Sequence, residues 1–155
     1  GFIPAIGVEM GIFGKDAKAF WREDHLLKRN GKINTAGGRR FWDMSDPWTQ
    51  DYLSQKMIGF LEYYGFGYLK ADYNESIGIG CDGAESLGEG LRQNMQAAQD
   101  FFRKIRDRLP GLVIEVCASG GHRMEPSMIE LCDMVSFSDA HEEKEIPVIA
   151  ANVIG

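Results

Sequence analysis

Four apolar runs in this sequence end in residues that an apolar strand has no structural reason to carry. They are Glu9, Lys70 with Asp72, Glu115 with Cys117, and Asp139. Side chains alternate along a strand, so Lys70 and Asp72 point the same way. A lysine beside an aspartate keeps the carboxylate ionised, as a carboxylate nucleophile requires. Two carboxylates on neighbouring strand ends are the minimum for glycoside hydrolysis: one attacks the anomeric carbon, and the other protonates the leaving oxygen and then activates water. Asp72 and Asp139 fit those parts, with carboxyl groups expected roughly 5–6 Å apart, near the range for retention. Taken alone, the residues leave two rivals standing. One is a structural ion pair. The other is a magnesium or manganese site built from Asp72, Glu115 and Asp139, as in a metal-dependent lyase or isomerase.

These residues are presented by a regular alternation of elements. Phe2 to Val8 is an apolar run that ends at Glu9, and residues 15–40 read as a long polar loop. Phe41 to Met44 is a strand candidate. Ser45-Asp46-Pro47 starts a helix that carries Tyr52, Leu53, Met57, Ile58, Leu61 and Tyr64 on one face and stops at Gly65. Tyr68 to Asp72 is a strand, Ser76 to Glu89 a glycine-rich loop, and Leu91 to Leu109 an amphipathic helix broken by Pro110-Gly111. Leu112 to Cys117 is the next strand, Pro126 to Leu131 a short helix, and Met134 to Ser138 a strand that delivers Asp139. Strands alternating with helices imply a parallel α/β sheet. The polar loops follow the strands, at the end where such sheets keep their active sites.

Composition narrows the classes. With 44% hydrophobic and 26% charged residues the chain can build a globular core. A net charge of −6 argues against a nucleic-acid partner, whose phosphates need clustered Lys and Arg. Three scattered cysteines form neither a disulfide framework nor a zinc motif. No stretch of about 18 apolar residues exists to span a membrane. Both ends lie in apolar runs, so a piece of a longer protein is expected, and the compartment cannot be read. Ser119 to Arg123 is a glycine turn directly after a strand, without a phosphate-loop pattern. His25, His122 and His141 carry no signal of their own.

Several motifs resemble those of glycoside hydrolase family thirty-six, the bacterial α-galactosidases. Tyr68-Leu69-Lys70-Ala71-Asp72-Tyr73-Asn74 is similar to the nucleophile motif Y-I-K-W-D-M-N. Glu115 to Arg123 resembles E-x-C-S-S-G-G-G-R, and the spacing from Cys117 runs without a gap to Ser138-Asp139, similar to the S-D acid/base motif. Phe41 to Ser45 resembles V-L-D-L-S, and Glu9-Met10 the end of E-P-E-M. The resemblance implies a retaining α-glycosidase, most readily an α-galactosidase, with Asp72 as nucleophile and Asp139 as acid/base. It implies Lys70 on the sugar's 3- and 4-hydroxyls, Cys117 and Gly120 near the 2-hydroxyl, and Asn74 and Arg40 among the substrate-binding residues, with Arg39 the alternative to Arg40. Glu115 and Arg123 match positions of structural character. No metal or cofactor is implied. The implied partner is an α-galactoside oligosaccharide or a related α-glycoside, and the full-length protein is expected to be a homo-oligomer.

The resemblance also implies a fold: residues 1–155 would be part of a single (β/α)8 TIM-barrel catalytic domain, about strands two to six, inactive as an isolated fragment. Departures from the motifs are Ala71 and Ser136 where relatives carry tryptophan, Ala5 to Val8 in place of W-F-E-P, and His25 near a sugar-lining loop tryptophan. Loss of aromatic platforms changes which sugar stacks. An N-acetylgalactosaminide substrate therefore stays open, as does a carbohydrate-binding remnant without catalysis.

Overall fold

A computed structural model of the chain describes residues 2–117, 123–136, 138–140 and 142–154. Its centre is a four-stranded parallel sheet. The strands are β1 (Ala5–Glu9), β7 (Tyr68–Asp72), β8 (Val113–Val116) and β9 (Met134–Val135), adjacent in that order. Each pair is parallel and in chain order, so the connections are crossovers that carry helices, and the fold is α/β.

Between β1 and the first helix the chain makes a small antiparallel excursion, not a plain loop. β2 (Ile12–Phe13), β5 (Thr35–Ala36) and β6 (Arg39–Phe41) form one sheet. β3 (Lys28–Arg29) and β4 (Lys32–Ile33) form a hairpin. Its turn places Asn30 and Gly31 at φ 52° and 72°, left-handed values that asparagine and glycine tolerate best. The stretch from Phe41 to Met44, expected as a strand of the parallel sheet, belongs here instead. Phe41 ends β6 and pairs antiparallel with Ile12, while Trp42 bridges to Leu26. Its apolar residues are buried because Phe41, Trp42 and Met44 fill the space between the excursion and the helix that follows. The described parallel sheet therefore has four strands where five were expected.

That helix runs as α1 (Pro47–Leu53), a π-helical turn at 54–58, and α2 (Gly59–Tyr64). The Asp46 side chain caps its start by accepting from the Trp48 N–H at 3.0 Å, and Pro47 occupies the first turn. Gly65 ends it at φ 66°, with Phe66 N–H donating to Leu61 and Gly65 N–H to Glu62, a Schellman closure. α3 (Leu87–Arg108) starts four residues earlier than expected, because Ser86 accepts from the Glu89 N–H at 3.1 Å and caps it there. α4 (Pro126–Ile129) and α5 (Ile146–Ile154) complete the set. Among the described residues no helix is long and apolar enough to cross a membrane.

The core fixes which face of the sheet is left for chemistry. Leu69 and Ala71 of β7 and Ile114 and Val116 of β8 are buried in one cluster with Phe101, Phe102 and Ile105 of α3. Burial of each large side chain contributes about 1.5–3 kcal/mol. The alternate residues, Tyr68, Lys70 and Asp72 on β7 and Glu115 on β8, stand on the opposite face.

Candidate active site

The strand ends converge where the register brings them side by side. Glu9, the last residue of β1, lies directly opposite Asp72, the last of β7, and Lys70 lies opposite Glu115. Asp72 is half-buried. One of its oxygens accepts the Tyr73 N–H at 2.8 Å, and the other accepts from the Asn74 amide at 3.2 Å. The same Asn74 amide donates to Glu9, so it bridges two carboxylates on adjacent strands. Arg39 supplies the balancing charge by donating to Glu9. Hydrogen bonding to Glu9 and its negative charge hold the Arg39 guanidinium above its ordinary pKa, so it stays charged.

One register step away, Glu115 is the meeting point of three donors. Lys70 Nζ stands 3.6 Å from it, and the hydroxyls of Tyr68 and Ser136 both donate to it. Burial would raise Glu115, but the bonds from Ser136 and Tyr68 and the Lys70 charge bring it below the usual glutamate range. The Tyr68 phenol is pushed up to about 12 by its bond to Glu115, with burial adding to it. Burial alone would lower Lys70, yet Cys117, Glu115 and Asp72 together hold it above the usual lysine value. The ammonium thus keeps its positive charge on the strand face that carries Asp72. Cys117 is buried just past β8, its N–H bonded to the Ala71 carbonyl at 2.8 Å.

The sequence candidates fare differently. Asp72, Lys70, Asn74 and Cys117 come together. Arg40 does not join them. Adjacent residues of β6 face opposite ways, and Arg40 turns to the excursion, donating to the Phe20 carbonyl at 2.7 Å and lying 4.0 Å from the Phe20 ring centroid. Arg39 is the one at the strand ends. Asp139 is exposed and lies beyond the end of β9, in a segment where the Ala140 N–H donates to Ser138 Oγ at 3.0 Å. Gly120 lies outside the described residues, as do His122 and His141. His25 is held structurally: its ring stacks on Trp48 at 3.8 Å and bonds Asp46 at 2.6 Å. Arg123 lies 3.5 Å over the Tyr73 ring, packing the residue that follows Asp72.

Tyr68 and Ser136 were not among the sequence candidates for the site, and Glu9 was singled out there as a polar strand end without a role. Strand alternation puts Tyr68 on the face of Lys70 and Asp72, and Glu9 is itself a polar strand end, so both left a signal. Ser136 left none, because its partner is on another strand. Among the described residues no group of three or more His, Cys, Asp or Glu is placed to hold a metal ion, and Glu115 is already engaged by its three donors.

With this geometry in view, the comparisons can be set beside it. The Melibiase family model matches residues 13–150. No curated protein sequence matches the chain. Solved structures do. A single-substitution variant of the GH36 α-galactosidase AgaA of Geobacillus stearothermophilus, in complex with 1-deoxygalactonojirimycin, matches with a TM-score of 0.83 at 21% identity, over 95% of this chain and 21% of that one. A variant of AgaA in complex with raffinose gives a TM-score of 0.83 at 20% identity, over 95% and 21%. The α-galactosidase of Lactobacillus brevis gives a TM-score of 0.83 at 20% identity, over 96% and 21%. At these identities the likeness is one of fold. The chain spans about a fifth of the length of these relatives.

Proposed function

This chain belongs to the melibiase family, and from that premise we propose that it is part of a retaining α-glycoside hydrolase acting on α-galactosides. The observation that carries the reading is the pair Lys70 and Asp72: a half-buried carboxylate at a strand end, on the same strand face as an ammonium that its neighbours keep charged against the effect of burial. In the reaction, Asp72 attacks the anomeric carbon and forms a glycosyl ester. Asp139 protonates the departing oxygen, then takes a proton from the water that releases the sugar with its configuration retained. Lys70, Asn74, Cys117 and Gly120 bind sugar hydroxyls. Arg39 takes the place first given to Arg40, because it stands with Glu9 and Asn74.

The four parallel strands are read as consecutive strands of a (β/α)8 barrel, the second to the fifth once Phe41–Met44 is set aside. The remaining strands, the flanking domains and any homo-oligomeric assembly belong to the full-length protein. An oligosaccharide substrate agrees with the raffinose bound by AgaA.

The test is made on the full-length protein with nitrophenyl α-galactoside. Asp72→Ala should abolish turnover, and azide should restore release of nitrophenol while producing a glycosyl azide of inverted configuration. Normal turnover by the variant would refute the assignment.

A further inference from the structure

Glu115 has no part in the chemistry above, yet groups from three positions on the sheet converge on it. It accepts from the hydroxyls of Tyr68 on β7 and Ser136 just past β9, and it pairs with the Lys70 ammonium at 3.6 Å. It therefore sits on the strand between the one that carries Asp72 and the one that leads to Asp139. Its side chain is 14% exposed, whereas that of Lys70 is 41% exposed. A largely enclosed anion held by two hydroxyls is a fixed point, and a half-exposed lysine is not: an ammonium on a four-carbon stem has three donors and wide freedom. Without Glu115, the charge left for Lys70 to pair with on its own strand is Asp72.

We propose that Glu115 is a positioning residue for Lys70: anchored by the Tyr68 and Ser136 hydroxyls, it holds the ammonium toward the sugar site and away from a closed ion pair with Asp72. This rests on the glycosidase reading for its consequence in turnover, though not for the Glu115–Lys70 coupling itself. Among the described residues, the charged or titratable groups facing Lys70 are Asp72 on its own strand, and Glu115 and Cys117 on and just beyond β8. Glu115 should thus both aim the ammonium and keep it charged.

Two readouts on the full-length protein test this. The first is a mutant cycle on nitrophenyl α-galactoside. Glu115→Gln keeps the shape but not the charge, and should raise KM roughly tenfold, the scale of one charge-assisted hydrogen bond. kcat should change less, and the same substitution placed on Lys70→Met should add almost nothing. Independent, additive effects in that background would overturn the proposal. The second readout does not need activity. With lysines carbon-13 dimethylated and the Lys70 signal identified by its loss in Lys70→Met, Glu115→Gln should move the Lys70 titration to lower pH. An unmoved titration would overturn the proposal whether or not the protein is a glycosidase. A wild-type protein that hydrolyses no α-glycoside would sink only the glycosidase reading. If Glu115→Gln does not fold, Tyr68→Phe and Ser136→Ala each remove one anchor. Each should raise KM by a smaller factor that vanishes on Lys70→Met, and unchanged KM in both would contradict the proposal.

Discussion

The two neighbouring arginines of β6 face different partners, and under the proposed function they divide binding from stability. Arg39 reaches Glu9 at the strand ends, while Arg40 lies beneath Phe20 with 17% of its side chain exposed. Arg40→Ala should lower stability by about 1–2 kcal/mol through the lost ring and carbonyl contacts, with KM unchanged. Arg39→Ala should raise KM and leave the urea midpoint nearly where it was. Kinetics and urea unfolding of the two full-length variants check the pair; the reverse pattern would return Arg40 to the site. The sequence could not separate them, because alternation says only that they face apart, and which side of β6 meets the strand ends is decided by its pairing with β2. Lys70 and Asp72 were legible for the opposite reason: two positions apart on a single strand, they share a face whatever the partners are.

At the scale of elements, α3 makes two tests. Its cap is electrostatic as well as hydrogen-bonded. Bonds from Arg92 and Gln93 hold the Glu89 carboxyl at about 2, below its ordinary 4.5. A depressed acid stabilises the folded state above its unfolded pKa and loses that contribution as pH falls through the folded value. The difference in thermal midpoint between wild type and Glu89→Gln should therefore be constant above about 4.5 and close as pH falls toward about 2. A difference that is flat over that window would count against the cap. Within the same helix, Gly90→Ala should not give the usual helix benefit. A Cβ there would meet the Cys81 carbonyl oxygen at 2.2 Å, a backbone atom that cannot easily move. The expected cost is about 1–3 kcal/mol by calorimetry. The long helices and their crossovers were readable from periodicity and from proline and glycine stops. The excursion over 12–41 was not, since strands of two or three residues contain no period. Phe41 to Met44 shows the ambiguity directly: a buried apolar run looks alike in a parallel strand and in a packed loop.

For the whole molecule, the sheet ends in β1 on one side and β9 on the other, neither closed by a partner among the described residues. Four strands cannot close the eight-stranded barrel proposed above, and open edges of parallel sheet invite association. Residues 1–155 expressed alone should therefore self-associate on size exclusion and show no hydrolysis of nitrophenyl α-galactoside, where the full-length protein turns over. Activity in the isolated chain would mean that the site needs nothing beyond these strands.

Under the proposed mechanism Asp72 becomes covalently bonded to sugar. The most direct measurement is mass spectrometry of peptides from the full-length protein after treatment with a fluorinated α-galactosyl fluoride, which slows hydrolysis of a glycosyl-enzyme. The account predicts one added glycosyl mass, on the peptide that carries Asp72 and at that residue. Label on Glu9 or Asp139 instead, or inactivation with no label at all, would contradict it.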